Sequence, residues 1–432
     1  MDQIKNITDY ENTLAFAKHQ DAIDPLKKYR ENFYMPMMNG KPVIYFTGNS
    51  LGLQPKSTQD LILNILEDWA SYGVEAYFHG KNPWLSYHEQ FFIPISKIVG
   101  SKPSEVTVLN QLTINLHLLL VSFYKPTKTR FKIICEGKAF PSDQYAMQSQ
   151  VKFHGFNPDE AIIEIMPREE EHCLRTEDIL KAIEQNKESL ALVLFGGINY
   201  YTGEVMDMKN ITEAAHQAGA KAGFDLAHAV GNIKLHLHDW NVDFACWCSY
   251  KYLNSGPGGI SGIYIHETHL EDKTIPRFEG WWGNDKANRF KMEKQFTATS
   301  TAESWQLSTA PPTLLAAHKA AIDLFDEVGM DKLMVKAENL TGYLEFVIDE
   351  INESLTHNKL EIITPRNKKQ RGCQLSIIAH NSGKNLFNKL LEEGIIADWR
   401  EPNVIRCAPV PFYNTFEDIY TFGEILKKNL TN

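Results

Sequence analysis

Apolar residues recur at the spacing of one helical face over Gln59–Ser71 and again over Trp84–Val99. Beyond residue 105 the pattern changes to short apolar runs, at Val106–Leu109, Phe131–Cys135, Ala161–Ile165, Leu190–Phe195, Lys221–Phe224, Phe244–Trp247 and Gly262–Ile265. Helical stretches such as Thr176–Gln185 and Asn210–Ala218 separate most of them. Strands alternating with helices predict an α/β fold, a mostly parallel sheet with helices on both faces. Ligands of such sheets sit beyond the carboxyl ends of the strands. After Pro311-Pro312 two long helical patterns follow, Thr313–Val328 and Lys332–Asn352, then strands near Gln374–Ile378 and Val404–Ala408. The expected division is a large domain over residues 46–311 and a smaller α+β C-terminal domain over 312–432. Residues 1–45 form a segment packing with the small domain or against a partner subunit.

Length supports two domains and an interior cleft: the chain has 432 residues. With 44 Lys+Arg against 54 Asp+Glu, the formal charge of −10 argues against nucleic acid or an anionic membrane as partner. Lys27-Lys28 and Lys368-Lys369 read as solvated faces. The longest apolar run, around Leu116–Phe123, is far too short to span a membrane. No signal peptide is visible in the acidic, apolar-poor start. Six cysteines without framework spacing indicate a reducing compartment, and the cytoplasm is the expected location.

The sharpest local feature is Phe224-Asp225-Leu226-Ala227-His228-Ala229-Val230-Gly231-Asn232, an apolar strand ending at an aspartate with a histidine three residues on. It is followed by Cys248-Ser249-Tyr250-Lys251-Tyr252-Leu253-Asn254 and the glycine-rich Gly256-Pro257-Gly258-Gly259. A pyridoxal-phosphate enzyme needs both parts. An acid keeps the pyridine nitrogen protonated so that the ring accepts electrons, and a lysine amine holds the cofactor covalently and later moves protons. Each part has a plainer explanation: strand-end aspartates often cap helices, and a lysine beside tyrosines is usually a surface residue. The glycines are not a phosphate loop, because the spacing differs and they follow the lysine. It is the combination, set in βα alternation, that points to chemistry.

These segments resemble the kynureninase family, within the fold-type I, aminotransferase-like class of pyridoxal-phosphate enzymes. The likeness extends over most of the chain, through Gly48-Asn49-Ser50-Leu51-Gly52-Leu53-Gln54-Pro55, Asn110-Gln111-Leu112-Thr113, Phe140-Pro141-Ser142-Asp143, Tyr200-Tyr201-Thr202-Gly203, Gly280-Trp281-Trp282-Gly283, Leu307-Ser308-Thr309-Ala310-Pro311-Pro312 and Ile405-Arg406-Cys407-Ala408-Pro409. The resemblance implies pyridoxal 5'-phosphate as cofactor, kynurenine or 3-hydroxykynurenine as substrate, and a homodimer whose active sites are shared between subunits. It implies a place in tryptophan catabolism or NAD biosynthesis.

By matched position, Lys251 holds the cofactor, Asp225 faces its ring nitrogen, and Tyr250 reaches the phosphate and donates protons. Leu112 and Thr113 meet the phosphate at a helix start. Phe140 stacks on the ring with Asp143 beside it, Gly196 lies close by, and His228 bonds to the cofactor's polar edge. Trp281 and Thr309 match positions that serve the neighbouring subunit's cofactor. Arg406 clamps the substrate carboxylate, a task suited to a planar fork, with Asn49, Ser50 and Tyr77 also on the substrate side. Three positions depart from the family pattern. Thr309 stands where asparagine is usual, Tyr77 where histidine is frequent, and Gly196 where some relatives have serine. Tyr77 puts substrate preference in doubt.

Two alternatives stay open on the residues alone. One is another enzyme on this scaffold, a cysteine desulfurase or other aminotransferase-like enzyme. The other is a cofactor-free binding relative. A desulfurase requires a mobile, exposed cysteine, and none of the six sits in an evident loop of that kind. Leu235-His236-Leu237-His238 puts two histidines on one face but offers no third ligand at recognisable spacing, so no metal is expected. Cys246 and Cys248 read as buried thiols, His79 as either a substrate contact or a cap, and Trp281-Trp282 as a pocket wall.

Overall fold

The computed structural model describes residues 4–431. Its large sheet has seven strands, which in spatial order are Val106–Val108, Gly262–Ile265, Phe244–Trp247, Lys221–Asp225, Leu190–Gly196, Lys132–Glu136 and Ile162–Ile165. Every neighbouring pair from Phe244–Trp247 to Ile162–Ile165 is parallel. Gly262–Ile265 alone runs against both its neighbours. The fold expected from the alternation is therefore present, with one reversed strand that periodicity does not reveal. Val193, Phe224, Ala245 and Tyr264 are fully or almost fully buried, as expected of a sheet covered on both sides.

From Lys132–Glu136 the chain steps outward to Ile162–Ile165, then returns to Leu190–Gly196 on the other flank. The strand order reverses there. In doubly wound sheets that reversal opens a crevice beyond the carboxyl ends of the strands. Glu136, Gly196 and Asp225 are the last residues of the strands around it.

Two helices frame this crevice: Leu112–Phe123, of which the resemblance implies only the start, and Pro141–Phe153, which is not read from the sequence. The first buries Leu116, Leu118, Leu119, Leu120 and Phe123, so it is apolar nearly all round and shows no single-face period. Trp84–Val99 is not one helix. A 3-10 turn at Tyr87–Phe91 precedes an α-helix over Phe92–Val99, which keeps Pro94 in the first turn, where its missing N–H is not needed. Gln59–Ser71 is helical, over Thr58–Tyr72.

A second, four-stranded sheet has the order Leu360–Ile362, Leu375–Ala379, Val404–Cys407, Asp398–Arg400, antiparallel throughout. Helices Met330–Ser354 and Phe416–Thr431 pack with it around Leu344, Val347 and Phe422. Helix Pro312–Val328 sends Leu315, Ile322 and Phe325 into the core of the large sheet. Near the N-terminus, Ala17 joins the small core while Tyr29 and Phe33 join the large one. Among the described residues no helix is long and apolar enough to cross a membrane.

Candidate active site

A cleft of ≈ 530 Å³ opens at the strand reversal, lined in part by Asp225, His228, Tyr250, Lys251, Phe140 and Thr113. The Lys221–Asp225 strand ends with Asp225 facing the cleft, and the next turn carries His228 in beside it. Lys251 lies on the loop after Phe244–Trp247 and places Nζ 2.9 Å from His228 Nε2. Burial, reinforced by the Lys251 charge, holds His228 well below its ordinary pKa, so its ring is neutral. Its Nδ1 is buried with no partner.

Asp225 Oδ1 accepts the Ala227 N–H at 2.7 Å. Burial raises the pKa of Asp225, while that N–H works the other way. Asp143, on the first turn of Pro141–Phe153, is raised further, by burial and then by the Asp225 charge beside it. Two carboxyls buried side by side cannot both ionise freely, so the pair favours sharing one proton. Phe140 is 41% exposed, with its ring centroid 5.9 Å from Lys251 Nζ. Burial, and then Cys248, raises the Tyr250 phenol far above its ordinary value, so it stays neutral.

At the other end, the helix Leu112–Phe123 starts without a side-chain cap, leaving its first amides free. The Thr113 and Ser142 hydroxyls meet at 2.5 Å in the same corner. Free amides, two hydroxyls and a positive helix end suit a phosphate. The cleft thus offers an anion seat, an amine, an aromatic face and a carboxylate, the kinds of group that fit pyridoxal phosphate. The unpartnered His228 Nδ1 and Asp143 Oδ1 are buried polar atoms that such a ligand would complete.

Nine of the residues singled out from sequence line this cleft: Leu112, Thr113, Phe140, Asp143, Gly196, Asp225, His228, Tyr250 and Lys251. Asn49, Ser50 and Arg406 lie together next to it. Arg406 is fully buried. Its Nη1 donates to the Tyr200 carbonyl at 2.6 Å, its Nη2 donates to Ser50 Oγ at 3.0 Å and to the Asp398 carboxylate, and its Nε has no partner. Asn49 donates to Gln374 Oε1 at 2.8 Å.

Tyr77, Trp281 and Thr309 do not line the cleft of their own chain. Tyr77 stands edge-on to Trp84, and Trp281, 46% exposed, donates to the Arg289 carbonyl at 2.7 Å. Sequence reasoning missed Glu136, Tyr200 and Asp398. Glu136 had a faint signal, a carboxylate ending the apolar run Ile133-Ile134-Cys135, but Asp398 reaches Arg406 only through strand register.

Other sequence features resolve simply. His238 Nδ1 bonds to Glu105 Oε1 at 2.9 Å, and His266 lies beside them. Glu105 also accepts the Lys102 and Glu267 N–H groups, so this cluster is satisfied as it stands. Cys246 and Cys248 are buried, as read. His79 is exposed and faces Glu75 at 3.7 Å. Cys173, the one cysteine not fully buried, has its thiol pushed up to about 12, chiefly by burial, so no cysteine offers the accessible thiolate a desulfurase needs.

Solved structures share this architecture. The cysteine desulfurase of Thermococcus onnurineus superposes with a TM-score of 0.75 at 18% identity, covering 94% of this chain and 98% of that one. The cystine C-S lyase C-DES, in complex with cysteine persulfide, gives 0.72 at 16% identity, covering 89% of this chain and 97% of that one. The fold is thus that of the fold-type I, aminotransferase-like class of pyridoxal-phosphate enzymes.

Sequence comparison narrows the class. The profile of the kynureninase C-terminal domain matches residues 333–426. The kynureninase of Flavobacterium psychrophilum is 58% identical over 421 residues, 98% of this chain and 99% of that one. The kynureninase of Myxococcus xanthus is 52% identical, covering 97% of each. This chain belongs to the kynureninase family.

Proposed function

We propose that this protein is a pyridoxal-phosphate-dependent hydrolase that cleaves the Cβ–Cγ bond of L-kynurenine or 3-hydroxy-L-kynurenine. Water is consumed, and L-alanine leaves with anthranilate or 3-hydroxyanthranilate. The observation that carries this reading is the meeting of Lys251, His228 and Asp225 in one cleft at the strand reversal, in a chain of this family.

Pyridoxal phosphate supplies an aldehyde carbon that an amine can hold covalently, and a protonated pyridine ring that accepts the electron pair left at the substrate's Cα. Lys251 Nζ would hold that carbon until substrate amine replaces it, then take the proton from Cα. Asp225 would hold the ring-nitrogen proton in place, with the Asp143 carboxyl beside it. Phe140 would cover one face of the ring. Leu112, Thr113 and the adjoining amides would hold the phosphate, with Tyr250 within reach. Tyr250, whose phenol stays protonated, would donate a proton as the Cβ–Cγ bond breaks. Arg406 has one buried donor unspent, Nε, and its fork would take the substrate α-carboxylate, with Asn49 and Ser50 alongside.

A homodimer belongs to the same proposal. Leu63, Leu66, Trp69 and Tyr72 are exposed along helix Thr58–Tyr72, with Phe78, Trp281 and Phe290 exposed nearby. That is a large apolar face for a lone chain. Across it Trp281, Thr309 and Tyr77 would serve the partner's cleft. The working division into residues 1–45, 46–311 and 312–432 is likewise proposed, supported by the two separate sheets. So are a cytoplasmic location and a role in tryptophan breakdown or NAD precursor supply.

The test is a steady-state comparison of L-kynurenine and 3-hydroxy-L-kynurenine, following the fluorescence of the aryl acid released and the alanine formed. Equimolar aryl acid and alanine from at least one substrate is the expected result. No cleavage of either by cofactor-saturated protein would refute the assignment.

A further inference from the structure

We propose that Glu136 is a positioning residue for the substrate α-carboxylate, acting through the turn at Gly196–Thr202 on Arg406. The inference rests on reading Arg406 as the carboxylate-binding side chain. Glu136 ends the Lys132–Glu136 strand at the point where strand order reverses, and it forms part of the cleft wall. Its Oε1 accepts the Gly196 N–H at 3.1 Å, and its Oε2 accepts Asn199 Nδ2 at 2.7 Å. Burial raises the pKa of this carboxyl and the two bonds oppose that rise; with both oxygens accepting, it sets which way the Asn199 amide faces.

The opposite end of that amide builds the next turn. Asn199 Oδ1 accepts the Tyr201 N–H at 2.9 Å and the Thr202 N–H at 3.0 Å. Between Asn199 and Tyr201 lies Tyr200, whose carbonyl receives Arg406 Nη1 at 2.6 Å and Gln374 Nε2 at 3.2 Å. Glu136 thereby sets the carbonyl that aims the guanidinium. Gly196 supports the same arrangement. A Cβ there would lie 2.7 Å from Glu136 Oε1, so the carboxylate fills the space that a side chain at 196 would take. The absence of a side chain at 196 and the placement of Glu136 are two halves of one device.

A carboxylate that merely built its loop would lower stability without distinguishing one ligand from another. A carboxylate that aims Arg406 affects only ligands carrying the α-carboxylate. In Glu136→Gln one amide hydrogen faces a donor, Gly196 N–H or Asn199 Nδ2, whichever way the side chain turns. The experiment is calorimetric titration of the cofactor-loaded protein with L-alanine and, separately, with 2-aminoacetophenone, an aryl ketone lacking the carboxylate.

The expected result in Glu136→Gln is an L-alanine Kd raised about tenfold, an unchanged Kd for 2-aminoacetophenone, and a KM for substrate that rises while kcat holds. Gly196→Ser, which pushes Oε1 aside, should reproduce the pattern and carries the test if Glu136→Gln folds poorly. Unchanged alanine affinity in these variants, or equal weakening of both ligands, overturns the inference. Arg406→Lys separates the underlying reading. Weakened alanine in that variant beside native affinity in Glu136→Gln sinks the inference alone, whereas native affinity in both sinks the Arg406 assignment with it.

Discussion

Two buried aspartates stand on neighbouring parts of one sheet, and both have histidine and lysine within reach. Asp243 is saturated. Its Oδ1 takes Lys221 Nζ at 2.9 Å and His269 Nε2 at 2.7 Å, and its Oδ2 takes His216 Nε2 at 2.8 Å and the Ala222 N–H at 2.8 Å. Burial pushes its carboxyl up, but the bonds from His216 and His269 and the Lys221 charge outweigh burial and hold it far below the usual range. Asp225 takes one backbone N–H, beside a second carboxyl whose pKa burial raises and a neutral histidine with an open nitrogen. The same residue types build a stabilising knot in one place and an unfinished site in the other. What differs is how much hydrogen-bonding capacity the fold leaves unspent.

Substitutions break this comparison in order of size. Lys251→Ala should lower turnover by about 10⁴-fold or more in steady-state assay, with the folded state intact. Next comes the pair of aspartates. Asp225→Asn should cost on the order of 10²-fold in kcat while leaving urea stability level or higher. Asp243→Asn should cost about 3 kcal/mol of stability and spare kcat per folded molecule. A carboxyl with a depressed folded pKa contributes stability above its unfolded value, about 4, and loses it as the pH falls through the folded value. The Asp243→Asn deficit should therefore be full at neutral pH and shrink progressively in unfolding series below about pH 4.

Mixing inactive Lys251→Ala with Trp281→Ala protein should restore activity toward a quarter of native through hybrid dimers, if Trp281 serves the partner's site. No recovery after subunit exchange would place Trp281 outside the machinery. The smallest effect is expected at Tyr77. Tyr77→Phe should change the kcat/KM ratio of the two kynurenines by about tenfold or less, and an unchanged ratio would remove Tyr77 from substrate recognition.

Much of the cleft was legible in the sequence because its chemistry is local. Asp225 and His228 share one turn, and Tyr250 and Lys251 are adjacent, so a short motif states the juxtaposition. The alternating apolar runs likewise exposed the large sheet, since strands buried on both faces read as continuous Val/Ile/Leu-rich segments. The body of the helix Leu112–Phe123, beyond the start that the resemblance implied, escaped for the converse reason: buried nearly all round, it carries no polar face to mark its period. The Arg406 environment escaped because it depends on register. Asp398 faces Arg406 across an antiparallel pair, and a slip of one residue would turn Asp398 to the other face. Glu136 escaped because only the strand reversal tells an ordinary strand-end acid from one that closes a cleft.

The central claim is that Lys251 bears the cofactor, and borohydride reduction of the purified, cofactor-loaded protein tests it most directly. Peptide mass spectrometry should find the pyridoxyl-phosphate mass on the peptide containing Lys251 and nowhere else. Stable labelling of a different lysine, or no covalent label in protein that cleaves kynurenine, would contradict it.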